Sequence, residues 1–277
     1  MRTAFSALRL HRPRSLASAL TVLRDEGPIV PLAGGTDVYV GLNAGTLAAR
    51  VFLDLWGLRE LRGVRRGAGG RLIVGAGATF AEIAASPLVR RHLGVLAEAA
   101  RQIGGAQIQN RATLGGNIAN ASPAADAVPV LLAAEAMFVL VSARGQRRVP
   151  STEFFTAYRR TVMAADELIQ AVEIPPLPGP AWFRKVGTRA ANAISKVVLA
   201  GVRARGERPR IAIGSVGPTV RRAVRTEAAL AAGASAEEAG QALLAEITPI
   251  DDMRSTADYR RRVAVGLLRQ FWEETTR

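Results

Sequence analysis

The sequence predicts an α+β protein of two domains, and two observations carry that prediction. Over residues 1–175, helical apolar periodicity alternates with short strand-like apolar segments, a pattern typical of mixed α/β layers. Residues 175–180 contain four prolines, which cannot continue a helix or a central strand, so we place the domain boundary there. From residue 180 to residue 277, strands are followed by helices, as in an α+β domain.

The first domain, residues 1–175, is predicted to divide into subdomains of about 1–55 and 56–175. In the first subdomain, Ser15 is placed to cap an amphipathic helix that extends to Leu23. In the second, Thr79 and Glu82 have the spacing of a capping box at the start of a helix. Further strands are predicted at 29–32, 50–55, 137–141 and 168–174, a strand and turn at 71–78, and further helices at 89–103 and 128–134.

The second domain, residues 180–277, is predicted to contain three strands and three helices. Its last helix, residues 255–272, places Val263, Leu267 and Phe271 on one apolar stripe. The strands are predicted at 182–186, 193–205 and 209–216, and the other two helices at 222–232 and 236–245.

Two glycine-rich stretches, residues 32–37 and 113–117, are the most informative feature of the chain. Neither has a bulky side chain at its centre, so each can turn with positive φ and present consecutive backbone N–H groups to an anion. A single stretch of this kind is also typical of an ordinary turn. Two of them, each with a hydroxyl or amide side chain that can bond a ribityl or phosphate oxygen, favour a site for a pyrophosphate.

The composition excludes several kinds of site. The chain has no cysteine, which excludes disulfides, Cys-ligated zinc and Cys-bound iron–sulfur clusters, and with two histidines we expect no metal site. No apolar stretch reaches the roughly 18 residues of a membrane span. Arg9, Arg12 and Arg14 interrupt the apolar core that a signal peptide needs, which indicates a cytoplasmic protein.

The net charge of +14 comes from 37 basic and 23 acidic residues. Such a charge is typical of nucleic-acid-binding proteins, but the basic residues are dispersed and are not interleaved with stacking aromatic residues, so we predict no nucleic-acid binding. All the basic residues except Lys185 and Lys196 are arginine. These two positions are candidates for roles that require a compact ammonium, although for Lys196 the alternative of chance stays open.

The sequence matches other cofactor-binding and catalytic motifs only in part. Residues 75–80 begin like a dinucleotide-binding fingerprint but have Phe80 where the third glycine should be. Neither lysine supplies the Gly-Lys-Ser/Thr of a phosphate-binding loop. Residues 214–217 lack the spacing of a nucleophile elbow and are interpreted as a turn.

The two glycine stretches and several other segments resemble, in the same order, the FAD-binding medium subunit of molybdenum hydroxylases, the xanthine dehydrogenase and carbon monoxide dehydrogenase family. The resemblance extends from about Pro31 to Trp272, and Thr36 with Asp37 is more similar to the xanthine dehydrogenase branch. The matching segments are residues 33–37, 107–111, 113–126, 166–169, 183–197 and 250–256.

That resemblance implies a two-subdomain FAD-binding fold of the vanillyl-alcohol-oxidase type, followed by a C-terminal α+β domain with a small antiparallel sheet. It also implies an electron-transfer subunit of an oxidoreductase complex. A molybdopterin-binding large subunit would hydroxylate the substrate, an iron–sulfur subunit would pass the electrons to this FAD, and an acceptor such as NAD would receive them. Electron transfer needs no general acid or base, so we expect no catalytic side chain.

The resemblance also assigns the flavin contacts. Residues 33–37 would wrap the pyrophosphate, and the second glycine stretch would approach it from the other side. Thr113 and Asp126 would hold the ribityl or phosphate region, Ile169 would pack on the isoalloxazine, and Lys185 would place positive charge near the ring or the ribityl chain. The expected cofactor-binding residues are Val30, Pro31, Leu32, Ala33, Gly34, Gly35, Thr36, Asp37, Thr113, Gly115, Gly116, Asn117, Asn120, Asp126, Ile169 and Lys185.

Alternatives stay open for single residues and for the whole chain. Ile169 is also typical of a core strand, and Asp126 of a helix N-cap. The chain is alternatively a stand-alone flavin-dependent oxidoreductase, or a basic binding protein without a cofactor.

Overall fold

The structure, a computed structural model, describes residues 8–275. Its helices are α1 Leu16–Glu26, α2 Val38–Asn43, α3 Phe80–Ala85, α4 Pro87–Arg101, α5 Ala106–Gln109, α6 Leu114–Ala119, α7 Ala127–Ala133, α8 Val224–Ala231, α9 Ala236–Leu244 and α10 Ala257–Thr275. Its strands are β1 Arg9–His11, β2 Val30–Leu32, β3 Val51–Asp54, β4 Val64–Arg66, β5 Leu72–Gly75, β6 Met137–Ser142, β7 Gly145–Pro150, β8 Phe155–Ala157, β9 Arg160–Thr161, β10 Leu168–Ile174, β11 Ala181–Val186, β12 Val197–Val202, β13 Arg210–Gly214 and β14 Arg221–Arg222.

The N-terminal part of the chain forms a three-stranded parallel sheet in the order β1-β3-β2. Helix α1 begins as predicted, because the Ser15 side chain accepts a hydrogen bond from the Ser18 N–H and caps it. Its apolar stripe packs with Leu53, Leu58 and Leu61 in one buried cluster. The first glycine stretch follows β2, at the carboxyl end of this sheet.

The next part of the chain builds a five-stranded antiparallel sheet in the order β4-β5-β10-β6-β7. The predicted capping box is confirmed, since Thr79 and Glu82 bond each other's backbone N–H groups at the start of α3. Helix α4 packs on this sheet, and α7, which is buried at every residue, belongs to the same core cluster and packs mainly on the C-terminal strands β12 and β13. The strand and turn predicted at 71–78 are confirmed, since β5 ends at Gly75 and the chain then turns through a hydrogen bond from the Ala78 N–H to the Gly75 carbonyl.

The C-terminal part contains a four-stranded antiparallel sheet in the order β11-β12-β13-β14. Helices α8, α9 and α10 contribute to the cluster on one face of the sheet, where Trp182 packs edge-on against Phe271 at 5.8 Å between ring centroids. The other face, with Phe183 and Val198, joins the cluster that contains α4 and α7. Every residue of β12 is buried because both faces of its sheet are covered.

Several details differ from the sequence-based expectations. The strand predicted at 193–205 begins at residue 197, and the helix predicted from residue 222 begins at Val224, because residues 221–222 form β14. Strands β1 and β7 were not predicted, since both are largely exposed and lack apolar alternation. Within residues 8–275, no helix combines the length and the apolar character needed to cross a membrane.

Candidate cofactor site

A cavity of about 490 Å³ lies where the parallel sheet and the five-stranded sheet meet. One wall is the first glycine stretch with the start of α2, and the facing wall is the second glycine stretch with the turn at Ala76 and Gly77. Leu55 and Trp56 also line the cavity, and Leu168 and Ile169 at the start of β10 contribute apolar surface. Sheet edges and helix starts therefore converge on one concave site, as is usual for small-molecule pockets.

The first glycine stretch offers a run of unused donors. Gly35 has φ 79°, the positive value predicted for this stretch. Among residues 8–275, the structure gives no hydrogen-bond acceptor to the backbone N–H groups of residues 33–38. All six of these residues line the cavity. Because unpaired backbone N–H groups require an acceptor, this wall is suited to an anion.

Each glycine stretch lies in close contact with another segment of the chain. A Cβ atom on Gly34 would lie 1.9 Å from the carbonyl oxygen of Arg111, and one on Gly115 would lie 2.7 Å from the Ala76 Cβ. Neither glycine has positive φ. These two positions therefore require glycine for close approach of neighbouring segments.

The second glycine stretch differs from the prediction. Gly115 and Gly116 lie inside α6 with ordinary helical φ, so the expected positive-φ turn is wrong there. The N–H groups of residues 114–117 are also engaged: that of Gly116 donates to Thr113 Oγ1, the helix cap, and the other three donate to backbone carbonyls. Instead, the stretch offers an acceptor, since Asn117 Oδ1 is buried without a partner among the described residues and Asn117 lines the cavity. A ligand hydroxyl would satisfy it.

Asp126 and Lys185 form a buried ion pair that is not part of the cavity wall. Lys185 Nζ donates to Asp126 Oδ2 at 2.6 Å and to the Gln102 carbonyl at 2.8 Å, and the Ser195 hydroxyl also donates to Asp126. Burial raises the pKa of Asp126, and the Lys185 ammonium and the Ser195 hydroxyl partly offset that shift. Asp126 occupies the N-cap position of α7, as its alternative interpretation had it, but its side chain makes no capping hydrogen bond to the helix.

The other charged groups of the wall are already paired. Asp37 faces Arg159 at 3.8 Å and accepts a hydrogen bond from Asn120. Glu167 is held by Arg147 through two hydrogen bonds of 2.6 and 2.8 Å, and these bonds lower the pKa of Glu167. Residues 8–275 contain no cluster of acidic and histidine side chains that could hold a metal ion.

The structure thus brings most of the expected site residues together. All of them line the cavity except Leu32, Asp126 and Lys185. The sequence analysis missed further wall residues, which come from several segments. They are Val38, Leu55, Trp56, Leu61, Arg62, Ala76, Gly77, Phe80, Ile103, Ile108, Ala112, Ala119, Met163, Glu167 and Leu168. Two of them, Ala76 and Gly77, belong to the glycine-containing segment 75–80, which resembles the start of a dinucleotide-binding fingerprint but lacks its third glycine.

Known protein families match this chain along its length. The family model described as the FAD binding domain in molybdopterin dehydrogenase matches residues 4–177, and the CO dehydrogenase flavoprotein C-terminal domain matches residues 182–275. The chain belongs to the FAD-binding medium subunits of the molybdenum hydroxylase family. The family that the sequence segments resemble is therefore confirmed.

Relatives of this medium subunit span nearly its whole length. A putative xanthine dehydrogenase FAD-binding subunit of Escherichia coli strain K12 is 32% identical over 268 residues, covering 92% of this chain and 91% of that protein. The carbon monoxide dehydrogenase medium chain of Hydrogenophaga pseudoflava is 30% identical over 270 residues, covering 94% of each. A solved structure of the latter enzyme superposes with a TM-score of 0.89 at 30% identity over 95% of both chains. Quinoline 2-oxidoreductase from Pseudomonas putida 86 shares the fold, with a TM-score of 0.91 at 24% identity over 99% of this chain and 98% of that chain.

The residues of the cavity fit FAD. The run of unused N–H groups at residues 33–38 matches a diphosphate, and the orphaned Asn117 oxygen matches a ribityl hydroxyl. Ile169, which is 6% exposed, belongs to the core cluster and also lines the cavity. A position in a core strand and packing against a ring system are therefore compatible for this residue.

Proposed function

We propose that this medium subunit carries FAD, receives electrons from an iron–sulfur subunit and passes them to an acceptor such as NAD. The observation that carries the proposal is the run of unused backbone donors at residues 33–38, which faces a cavity with an orphaned acceptor at Asn117. The relatives named as FAD-binding subunit or medium chain support it. With no cysteine in the chain, Cys-bound iron–sulfur clusters must lie on another polypeptide. A molybdopterin-binding large subunit would complete the complex.

In this proposal the chain's own residues bind and orient the cofactor. The N–H groups of residues 33–38 hold the diphosphate, and Asn117 Oδ1 accepts a hydrogen bond from a ribityl hydroxyl. Ile169 packs against the isoalloxazine. Bound FAD supplies the redox chemistry, and no side chain has to move a proton for it. The close contact between Gly34 and the Arg111 carbonyl fixes the first glycine stretch against the neighbouring segment.

We assign Asp126 and Lys185 to the ribityl or ring end of FAD on the family resemblance. As a buried pair between α7 and β11, they lie where the C-terminal sheet packs on the first domain. A cation at that end of a flavin stabilises negative charge on the reduced ring and raises its potential. We also propose residues 175–180 as the boundary between the two domains.

Purification of the full chain tests the proposal. The absorption spectrum is expected to show oxidised flavin, and acid precipitation should leave FAD in the supernatant, because no covalent attachment residue lies near the cavity. Co-expression with its neighbouring subunits is expected to yield a heteromeric complex. A colourless protein that binds no added FAD would favour a basic binding protein, and substrate oxidation by the isolated chain would favour a stand-alone oxidoreductase.

A further inference from the structure

Three segments of the first domain meet at the indole ring of Trp56. The guanidinium carbons of Arg62 and Arg111 lie 4.2 and 3.7 Å from the ring centroid. Trp56 and Arg62 line the cavity, and Arg111 Nε donates to the carbonyl of Gly34, which also lines it, at 3.4 Å. The Arg111 guanidinium therefore lies beside the first glycine stretch, although Arg111 itself is exposed and does not line the cavity.

The two arginines differ in how their charge is balanced. Arg62 faces Glu82 at 3.6 Å and donates to the Trp56 carbonyl at 2.9 Å. In the part of the chain that the structure describes, no carboxylate lies within 4.0 Å of the Arg111 guanidinium, and its two terminal nitrogens make no hydrogen bond. A cation–π contact holds a guanidinium without neutralising it. Arg111 is thus an exposed guanidinium that Trp56 and Gly34 hold in place and that has no carboxylate partner among the described residues.

The carboxylates of the cavity wall do not compete for this charge. Asp37 faces Arg159, and Glu167 is held by Arg147. The backbone N–H groups of residues 33–38, beside Arg111, also lack an acceptor among the described residues. These N–H groups and the guanidinium are all hydrogen-bond donors. A doubly charged diphosphate satisfies both, and the planar fork of a guanidinium matches phosphate oxygens.

We propose that Arg111 binds the diphosphate of the flavin dinucleotide and thereby makes the site prefer FAD to riboflavin. The proposal rests on the proposed FAD-binding function and adds a charged side chain to the backbone contacts. Trp56 is a positioning residue that acts through Arg111. The bond from Arg111 Nε to Gly34 sets the guanidinium beside the backbone donors.

The test uses the full chain stripped of flavin and titrated with FAD, FMN and riboflavin, with dissociation constants from flavin fluorescence. Arg111→Gln should weaken FAD binding about 10- to 100-fold, the range expected for hydrogen bonds to a charged group. Riboflavin, which has no phosphate, should change less than about twofold, and FMN should fall between them. Arg66→Gln is the matched control, because Arg66 is exposed on β4 and forms no ion pair within residues 8–275.

The outcomes separate this inference from the proposed function. Wild-type protein that binds no flavin would refute the function itself. Wild-type binding of FAD with an unchanged FAD constant in Arg111→Gln would overturn the inference alone. Equal losses of affinity for FAD and riboflavin would also overturn it, because they would show that Arg111 only holds the Gly34 segment in place and does not bind the diphosphate.

A second variant keeps the test valid if Arg111→Gln folds poorly. Trp56→Leu retains Arg111 but removes the aromatic surface that holds it, so the same order of losses is expected, smaller in size. Higher ionic strength should also weaken FAD binding to the unchanged protein more than riboflavin binding, since salt screens the charge of Arg111. Salt-independent FAD binding would contradict the proposal.

Discussion

Gly34 lies at a contact between two backbone segments that a side chain would separate. Gly34→Ala should destabilise the protein by about 1–3 kcal/mol or more, the usual cost of overpacking, because its Cβ would lie 1.9 Å from the Arg111 carbonyl oxygen. It should also lower FAD affinity, since the cavity wall must shift. Urea unfolding and flavin titration measure the two effects.

Gly57 provides the control for that substitution. A Cβ at Gly57 would meet nothing within 4 Å, and its φ is not positive. Gly57→Ala should therefore change the unfolding free energy by no more than about 0.5 kcal/mol, as at other unconstrained surface sites. Similar losses in both variants would show that the Gly34 contact is not tight in solution.

Glu167 links the stability of the cavity wall to pH. Its pKa is lowered, first by the hydrogen bonds from Arg147, so the charged form stabilises the fold above its unfolded pKa near 4.5, and that stabilisation is lost as the pH falls through its folded pKa. Glu167→Gln should cost about 1 kcal/mol at pH 7, because Arg147 is half exposed and solvent screens the pair. Below pH 4 the difference from wild type should shrink. Urea unfolding at pH 7 and pH 4 measures it.

The control is Glu153→Gln, since Glu153 is exposed and forms no ion pair in the part of the chain that the structure describes. Its stability should follow that of the wild type at both pH values. An acid-independent deficit in Glu167→Gln would contradict the role of the charge.

At the scale of elements, α3 connects a helix cap to the cofactor site. Thr79 caps α3 and forms an isolated bridge with Thr113, and the Phe80 N–H donates to the Ala112 carbonyl. Thr79→Ala should therefore cost about 1 kcal/mol, as for other lost caps. It should also weaken FAD binding, because the second glycine stretch is held by this edge.

Helix α9 offers a matched comparison. Its capping box is built from Ser235 and Glu238, far from the cavity wall. Ser235→Ala should cost a similar unfolding free energy but leave the FAD dissociation constant unchanged. Equal effects of both variants on FAD binding would show that α3 has no special coupling to the site.

Elements with local physical signatures were predictable from the sequence, and elements defined by distant contacts were not. Helix α1 has a cap and an apolar stripe within its own residues, and β10 has mostly apolar residues, interrupted by Gln170 and Glu173. Helix α2 buries no residue, and strand β7 is a polar edge paired with β6, so neither has a periodic apolar pattern. In the second glycine stretch, Thr113 caps a helix that two glycines disfavour locally.

The residues of the candidate site differ in the same way in how far the sequence predicts them. The donors of residues 33–38 follow from a local glycine pattern, so the sequence predicted them. The partner of Lys185 is Asp126, 59 residues earlier, and no spacing rule joins two residues that meet only when the C-terminal sheet docks. The contact between Trp56 and Arg111 likewise depends on how the two sheets meet. Tertiary packing, not local propensity, decides these contacts.

At the scale of the whole molecule, the two domains share one core. Phe183 and Val198 of the C-terminal sheet belong to the same buried cluster as α4 and α7. The Lys185–Asp126 pair crosses this junction with side chains only 6% and 8% exposed. A buried charge without its partner is costly, so this pair should control how firmly the domains dock.

Lys185→Met should therefore cost about 3–5 kcal/mol, since it leaves the Asp126 carboxylate buried with only the Ser195 hydroxyl. Lys185→Met combined with Asp126→Asn removes both charges and should recover part of that loss, with a coupling energy of about 0.5–3 kcal/mol. Lys196→Met is the control, because the other lysine packs over the Tyr259 ring at 4.8 Å, a contact worth about 0.5–1 kcal/mol when exposed. Urea unfolding of the flavin-free proteins measures all four.

The pH dependence distinguishes a lost ion pair from lost packing. Burial holds the pKa of Asp126 above its unfolded value, and losing Lys185 raises it further, so the folded state binds a proton that the unfolded state releases. The stability of Lys185→Met should therefore fall as the pH rises between those two pKa values, and its deficit should be smaller at pH 5 than at pH 7. The double variant, which has no carboxyl group there, should lack this slope. A deficit that is the same at both pH values, or equal losses in Lys185→Met and Lys196→Met, would show that the Lys185 charge does not hold the domains together.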